Sequence, residues 1–303
     1  MTEKKPASFS NRTVSRKVVL AVFACLILPL THFLAFKIGE ISNGVPTPRP
    51  TAKKVNAPIH VPLFVDPARV RQQPRFHFTF DLPQTLASQR LFLGVDKVVV
   101  AGKDQWEKVN LWLNWVRSQW QPGRPDPYPP IDARIILERI RGGVTGGFCA
   151  QYNYVFVQGL QSLGMAARYV TIRNHEVTEV WIEAERRWVC CDPLYRCYYA
   201  GLGGKPLSVL EIRRNVENGR PVSLVGAQGV NDHKLHLSQF LGFAVWLKNN
   251  HIASPINFFD IERYKVYFVE TEAERDLLPA NALFTFFPED LYGSPEDHSD
   301  GEN

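Results

Sequence analysis

The sequence predicts an α+β domain in which one helix packs against an antiparallel β-sheet. Three observations carry that prediction. After Cys149, apolar side chains recur at helical spacing: Tyr152, Val155, Phe156, Leu160 and Leu163. Residues 167–172, ARYVTI, have the β-branched and aromatic content of a strand. EVWIEA and RWVCCD then flank a tight charged turn at Glu185–Arg186, the pattern of a β-hairpin.

In chain order, the N-terminus comes first. Residues 1–17 carry a net charge of +4 of the chain's total +5, so the remainder is close to neutral. Residues 18–36, VVLAVFACLILPLTHFLAF, contain no Asp, Glu, Lys or Arg. At 1.5 Å per residue in a helix this run nearly spans a bilayer core of ~30 Å. Basic residues before it keep the N-terminus in the cytoplasm and send the rest across; a cleaved signal peptide is the alternative, but the run is long for a signal core and no convincing small-x-small cleavage site comes after it. The expectation is an uncleaved single-pass anchor with the remaining chain extracytoplasmic. Residues 37–74 contain seven prolines from Pro46 to Pro74 and read as an extended tether. One domain is expected over 75–292, with an acidic disordered tail over 293–303.

Inside the domain, RFHFTF over 75–80 alternates like a strand. Asp104 is placed to cap a helix carrying Trp106, Val109, Leu113 and Val116. QPGRPDPYPP over 121–130 is a loop, and 131–140 a short helix. Gly142, Gly143, Gly146 and Gly147 then make a turn leading into the helix that Cys149 opens, and Gly164 suits its left-handed end. Without a basic stripe interleaved with aromatics, the sequence gives no sign of nucleic-acid binding. Nothing in it points to a particular oligomeric state.

The chemistry centres on Cys149. A helix N-terminus carries about half a positive charge and free N–H groups, which favour a thiolate and an oxyanion respectively. A nucleophile so placed needs a base and a group to orient that base. His175, in RNHEVTEVWIE, lies at the mouth of the hairpin, and Asp192, in CCDP, lies at the end of its returning strand. A hairpin brings those ends together, so Cys149, His175 and Asp192 make a thiol triad. Glu176 and Glu179 compete with Asp192 as the acid, and Asp192 before Pro193 also suits a simple turn. Cys190, Cys191 and Cys197 lack a C-x-x-C pair, so no metal is expected; outside the cytoplasm two of them would be free to form a disulfide. His233 and His236, in NDHKLHL, read as surface or structural residues. Trp106, Trp112, Trp115 and Trp120 read as packing or as the lip of a cleft.

GGFCAQY, GMAARYV, H-x-x-x-E-V-W and W-x-x-x-D-P, in this order over about 104–195, resemble the transglutaminase-like superfamily, and GKPLSVLEIRR over 204–214 resembles the segment after the core in some members. The resemblance implies a papain-like core, with the nucleophile helix packed on an antiparallel sheet that carries the histidine and the acid. It assigns Cys149 as nucleophile, His175 as base and Asp192 as orienting acid, with no cofactor. Val177 stands where many members have tryptophan, Asn153 where a small residue usually packs, and Leu194 where threonine is common. The implied activity is attack on protein or peptide amides through a thioester, with water or an amine as acceptor. The competing reading is a membrane-tethered binding or scaffolding module whose site is silent. Residues 202–292 are expected to complete the domain and wall the cleft.

Overall fold

The computed structural model describes residues 76–295, all within the second of the two units into which the chain divides, Asp66–Asn303. The expected basic segment, apolar run and tether over 1–74, and most of the acidic tail, lie outside the described residues. Among the described residues no helix is long and apolar enough to cross a membrane.

The elements are β1 (Thr79–Phe80), α1 (Ala87–Leu93), α2 (Val95–Val99), α3 (Gln105–Ser118), α4 (Ala133–Arg141), α5 (Cys149–Ser162), β2 (Ala167–Ile172), β3 (His175–Ile182), β4 (Arg187–Asp192), β5 (Cys197–Ala200), α6 (Val209–Glu217), β6 (Ser223–Val225), α7 (His233–Ser238), β7 (Phe243–Trp246), β8 (Lys248–Asn249), β9 (Lys265–Phe268), α8 (Glu272–Arg275), β10 (Leu283–Thr285) and α9 (Glu289–Tyr292). Eight strands form one sheet in the order β10-β9-β7-β2-β3-β4-β5-β6, antiparallel except for β10 on β9. The expected α+β architecture is present. The strand expected over 75–80 is shorter: only Thr79 and Phe80 pair, in parallel with β8.

Local chemistry sets the boundaries. Asp104 Oδ1 accepts from the Glu107 N–H at 2.8 Å and starts α3. Asp132 does the same for α4 through the Ile135 N–H at 3.0 Å. At the end of α5 the Gly164 N–H reaches the Gln161 carbonyl and the Met165 N–H the Leu160 carbonyl, closing the helix with Gly164 at φ +78°.

The core divides into two clusters, one on each face of the sheet. Tyr152, Val155, Phe156 and Leu160 of α5 pack with Trp112 and Leu113 of α3, Ile136 and Leu137 of α4, and Val180 and Ile182 of β3. The opposite face carries Val177, Cys190, Cys197, Tyr199, Ile212, Phe240 and Phe243. Residues 202–292 add four strands to the sheet and cover this second face.

The apolar repeat of α5 predicts one buried face, but all fourteen of its residues are buried. Helices α1, α3 and α4 cover the side away from the sheet. Two of its glutamines are paired with main chain. Gln158 accepts from the Ala133 N–H at 2.8 Å and donates to the Ile131 carbonyl at 3.0 Å. Gln161 donates to the Ala167 carbonyl at 2.9 Å.

Among the described residues, one ion pair has no exposed side-chain surface on either partner. Arg168 on β2 and Glu179 on β3 face each other across the ladder, with Arg168 Nη2 at 2.7 Å and Nε at 3.1 Å from Glu179 Oε2. Arg168 Nη1 also donates to the Leu291 carbonyl at 2.6 Å, and Glu179 Oε1 accepts from the Val209 N–H at 2.8 Å. The guanidinium lies 4.0 Å from the Trp188 ring and 5.1 Å from that of Tyr292. Glu179, a rival of Asp192 for the acid's role in the sequence, is thus committed to holding α6 and α9 to the sheet.

Candidate active site

The turn before α5 is built to deliver Cys149. The Gly123 N–H donates to the Gly147 carbonyl at 2.9 Å, and the Gly146 N–H to the Arg124 carbonyl at 3.0 Å, so the proline-rich loop and the glycine turn lie against each other. A β-carbon on Gly146 would stand 2.4 Å from the Arg124 carbonyl oxygen, and one on Gly147 would stand 2.8 Å from Ile140 and 2.9 Å from Trp120. Only glycine fits this approach. Trp120 Nε1 donates to the Gly147 carbonyl at 3.2 Å while its ring stacks on Tyr152 at 4.0 Å. Phe148 is extended, and its N–H donates to Gln151 Oε1 at 3.0 Å. Helix α5 therefore begins at Cys149, and no side chain caps its first turn. The N–H groups there stay directed at whatever sits beside the sulfur.

His175 opens β3 and Asp192 closes β4. The ladder runs from Ile182↔Arg187 to Thr178↔Cys191, and continuing it places Asp192 opposite Val177. His175 lies two residues further along that face. His175 Nε2 lies 2.7 Å from Asp192 Oδ2. Cys149 stands near enough to the same ring to act on its charge. The structure thus brings the three residues together. Asp192 serves the turn as well: its Oδ1 accepts from the Tyr195 N–H at 3.1 Å.

Residues 95–193 match the family model of the transglutaminase-like superfamily. These residues form a transglutaminase-like core. It runs from α2 to the residue after Asp192 and takes in about a third of the chain, with GKPLSVLEIRR outside it. No curated protein matches the chain.

The charges of this transglutaminase-like core oppose its burial. Burial alone would lower the His175 pKa, but the charge and hydrogen bond of Asp192, with those of Cys149, outweigh it and raise it to about 10. Burial alone would raise the Asp192 carboxyl, but the His175 charge and hydrogen bond, His236 and the Tyr195 amide hold it below the usual carboxylate range. A carboxylate facing an imidazolium is the state both shifts favour.

Asn153, one of the departures from the family pattern, joins the two halves of the site. Its Nδ2 donates to the Cys149 carbonyl at 2.8 Å and to the Glu176 carbonyl at 2.7 Å, and its Oδ1 accepts from the Thr178 hydroxyl at 2.5 Å. A small residue there would leave the start of α5 and the start of β3 unjoined.

Glu176, the other rival for the acid's role, points to the α5 side of the sheet instead. Its Oε2 is buried with no hydrogen-bond partner among the described residues, as are Tyr128 Oη, Gln151 Nε2 and Tyr154 Oη. Burial pushes the Glu176 carboxyl up to about 7, against the charges of Lys265 and His175. Between its ordinary value of 4.5 and about 7 the folded state holds more protons than the unfolded one. Stability therefore falls as pH rises through that window, and the cost is complete above it. Glu176→Gln is expected to stabilise the domain at pH 8 by on the order of 1–3 kcal/mol and to have little effect at pH 4.5. Thermal melts of both proteins at the two pH values check this.

The sequence left the pairing of the cysteines and the placing of the two histidines open. Cys149, Cys190, Cys191 and Cys197 are all free, and Cys191 lies on the opposite face of the sheet from Cys190 and Cys197. His236 is buried, not a surface residue, and its ring stands 5.6 Å from that of His175. His233 is exposed, as read. Of the tryptophans, Trp112 and Trp120 are buried, while Trp106 and Trp115 pack half-buried against the same core.

Proposed function

We propose that this domain is a thiol acyl-transfer enzyme acting on amides of proteins or peptides. The observation that carries the reading is the 2.7 Å contact of His175 Nε2 with Asp192, near a cysteine at an uncapped helix start. His175 takes the thiol proton as the sulfur attacks. Cys149 attacks the amide carbonyl, and the first-turn N–H groups of α5 receive the developing oxyanion. The carbon–nitrogen bond then breaks, His175 supplies the proton on the departing amine, and a thioester remains. Water on the thioester releases a carboxylic acid; an amine in its place forms a new amide. His175 takes the proton of either acceptor. The apolar run 18–36 and its basic flank support placing this chemistry beside a membrane, outside the cytoplasm.

The test uses the full-length chain in detergent. With iodoacetamide, the Cys149 peptide is expected to be modified selectively below pH 7, and His175→Ala is expected to abolish that selectivity. Glutamine-containing peptides are then offered with and without a labelled amine. Ammonia release alone gives a deamidase, label incorporation a transamidase, and peptide cleavage a protease. Ordinary thiol titration in both proteins, with no acyl transfer, would leave the scaffolding reading in its place.

A further inference from the structure

His236 takes no part in the acyl transfer proposed for Cys149, yet it is 4% exposed and its Nε2 lies 2.6 Å from the Tyr199 hydroxyl. The same hydroxyl lies 3.1 Å from Asp192 Oδ2, the oxygen that His175 Nε2 approaches to 2.7 Å. His236 itself is 3.9 Å from Asp192 Oδ2, too far for a direct hydrogen bond. The four side chains therefore form one hydrogen-bonded series: His175, Asp192, Tyr199, His236.

Counting protons fixes its direction. An ionised carboxylate only accepts, so His175 and Tyr199 both donate to Asp192. Tyr199 has one hydroxyl proton and has then used it. Its oxygen must accept from His236, which places a hydrogen on His236 Nε2. The surroundings hold the second histidine in this pose: the Tyr199 ring stacks on it at 5.8 Å and 16°, and Tyr195 and Phe240 meet it edge-on at 5.0 Å and 6.0 Å. The ionisable groups around it are Tyr199 on β5, Asp192 on β4, His175 on β3, Tyr195 in the turn between β4 and β5, and His233 on its own helix. Burial lowers the His236 pKa most; Asp192 opposes this, and His175 and His233 add to it. His236 is thus neutral at neutral pH, and His175 is left as the cation that Asp192 faces.

We propose that His236 is a positioning residue: through the Tyr199 hydroxyl it fixes the Asp192 carboxylate, and so the His175 imidazole, in the orientation that serves Cys149. This rests on the reading of Cys149 as the nucleophile.

The experiment measures iodoacetamide alkylation of the Cys149 peptide in the full-length chain from about pH 4 to 9. It compares wild type, His175→Ala, Tyr199→Phe, His236→Phe, His236→Gln and the Tyr199→Phe/His236→Phe double variant. Loss of the hydroxyl donor makes Asp192 easier to protonate. The acid limb is expected to move up by about one pH unit in Tyr199→Phe and His236→Phe, a loss of about tenfold at a fixed acid pH. His236→Gln keeps a donor for Tyr199 and is expected to stay near wild type. The double variant is expected to be no worse than either single one, because His236 acts only through Tyr199. His236→Met, which fills the site without a donor, stands in if His236→Phe does not fold. A limb unmoved in folded single variants, or two effects that add, would overturn the positioning role alone. A wild-type profile indifferent to His175→Ala would instead overturn the reading of Cys149, and this role with it.

Discussion

Asp192→Asn is expected to slow alkylation of Cys149 at pH 6 by about 10–100-fold, although it replaces one oxygen by a nitrogen. Both carboxylate oxygens of Asp192 accept from donors: Oδ1 from the Tyr195 N–H, and Oδ2 from His175 Nε2 and the Tyr199 hydroxyl. An asparagine has one acceptor oxygen. Turned toward His175, it sets its NH2 against the Tyr195 N–H; turned the other way, it sets the NH2 against His175 and Tyr199. Either orientation opposes donor to donor in a fully buried site. The negative charge that keeps His175 protonated is lost as well. A hydrogen bond to a charged group contributes about 1.5–3 kcal/mol, which gives the 10–100-fold range. The measurement is the second-order alkylation rate of the Cys149 peptide, with a thermal melt to show that the variant is folded. A rate within twofold of wild type would mean that Asp192 serves the turn and not the imidazole.

Arg168→Met is expected to destabilise the domain by about 3–5 kcal/mol, because it strands a buried carboxylate. Glu179 has no exposed surface, and its Oε2 has Arg168 as its charged partner. For a domain of this size the melting temperature should fall by roughly 6–20 °C. Arg168→Met/Glu179→Met should recover part of the loss, since both charges are gone. The Val209 N–H would still lack its acceptor, Glu179 Oε1, so recovery should stop short of wild type. Melts of the two variants decide this. A single variant that melts with wild type would mean that the Trp188 and Tyr292 rings, not the charge pair, hold this corner.

The parts legible in the sequence were those whose signal is local. Asp104 announced α3 because an N-cap acts within three residues. The hairpin was legible because its turn and alternating strands are contiguous, and it carried His175 and Asp192 to the same end of the sheet. Helices α1 and α2 gave no such signal: they are short, meet at Gly94, and leave Leu91 and Val100 exposed. Strands β7, β9 and β10 have three or four residues each, too few for alternation to register. The full burial of α5 was hidden because Gln151, Gln158 and Gln161 look like a solvent face in sequence and Asn153 breaks the apolar one. In the fold, Asn153, Gln158 and Gln161 bond to main chain on neighbouring elements. His236 was hidden for a related reason. Tyr199 precedes it by thirty-seven residues, and NDHKLHL is polar enough to read as surface. One signal was present: Asp232 caps α7 through the Leu235 N–H at 2.9 Å. A helix started there turns Leu235 to solvent and His236 into the core.

The Asn153 carboxamide has a mechanical consequence. It ties the first turn of α5 to the first residues of β3, and α5 itself is encased on every side. The gap between sulfur and ring therefore has no loose hinge of its own and is set by how the whole body is assembled. Heating should not disarm such a centre ahead of the rest; loss of thiol reactivity and loss of the fold should trace a single curve.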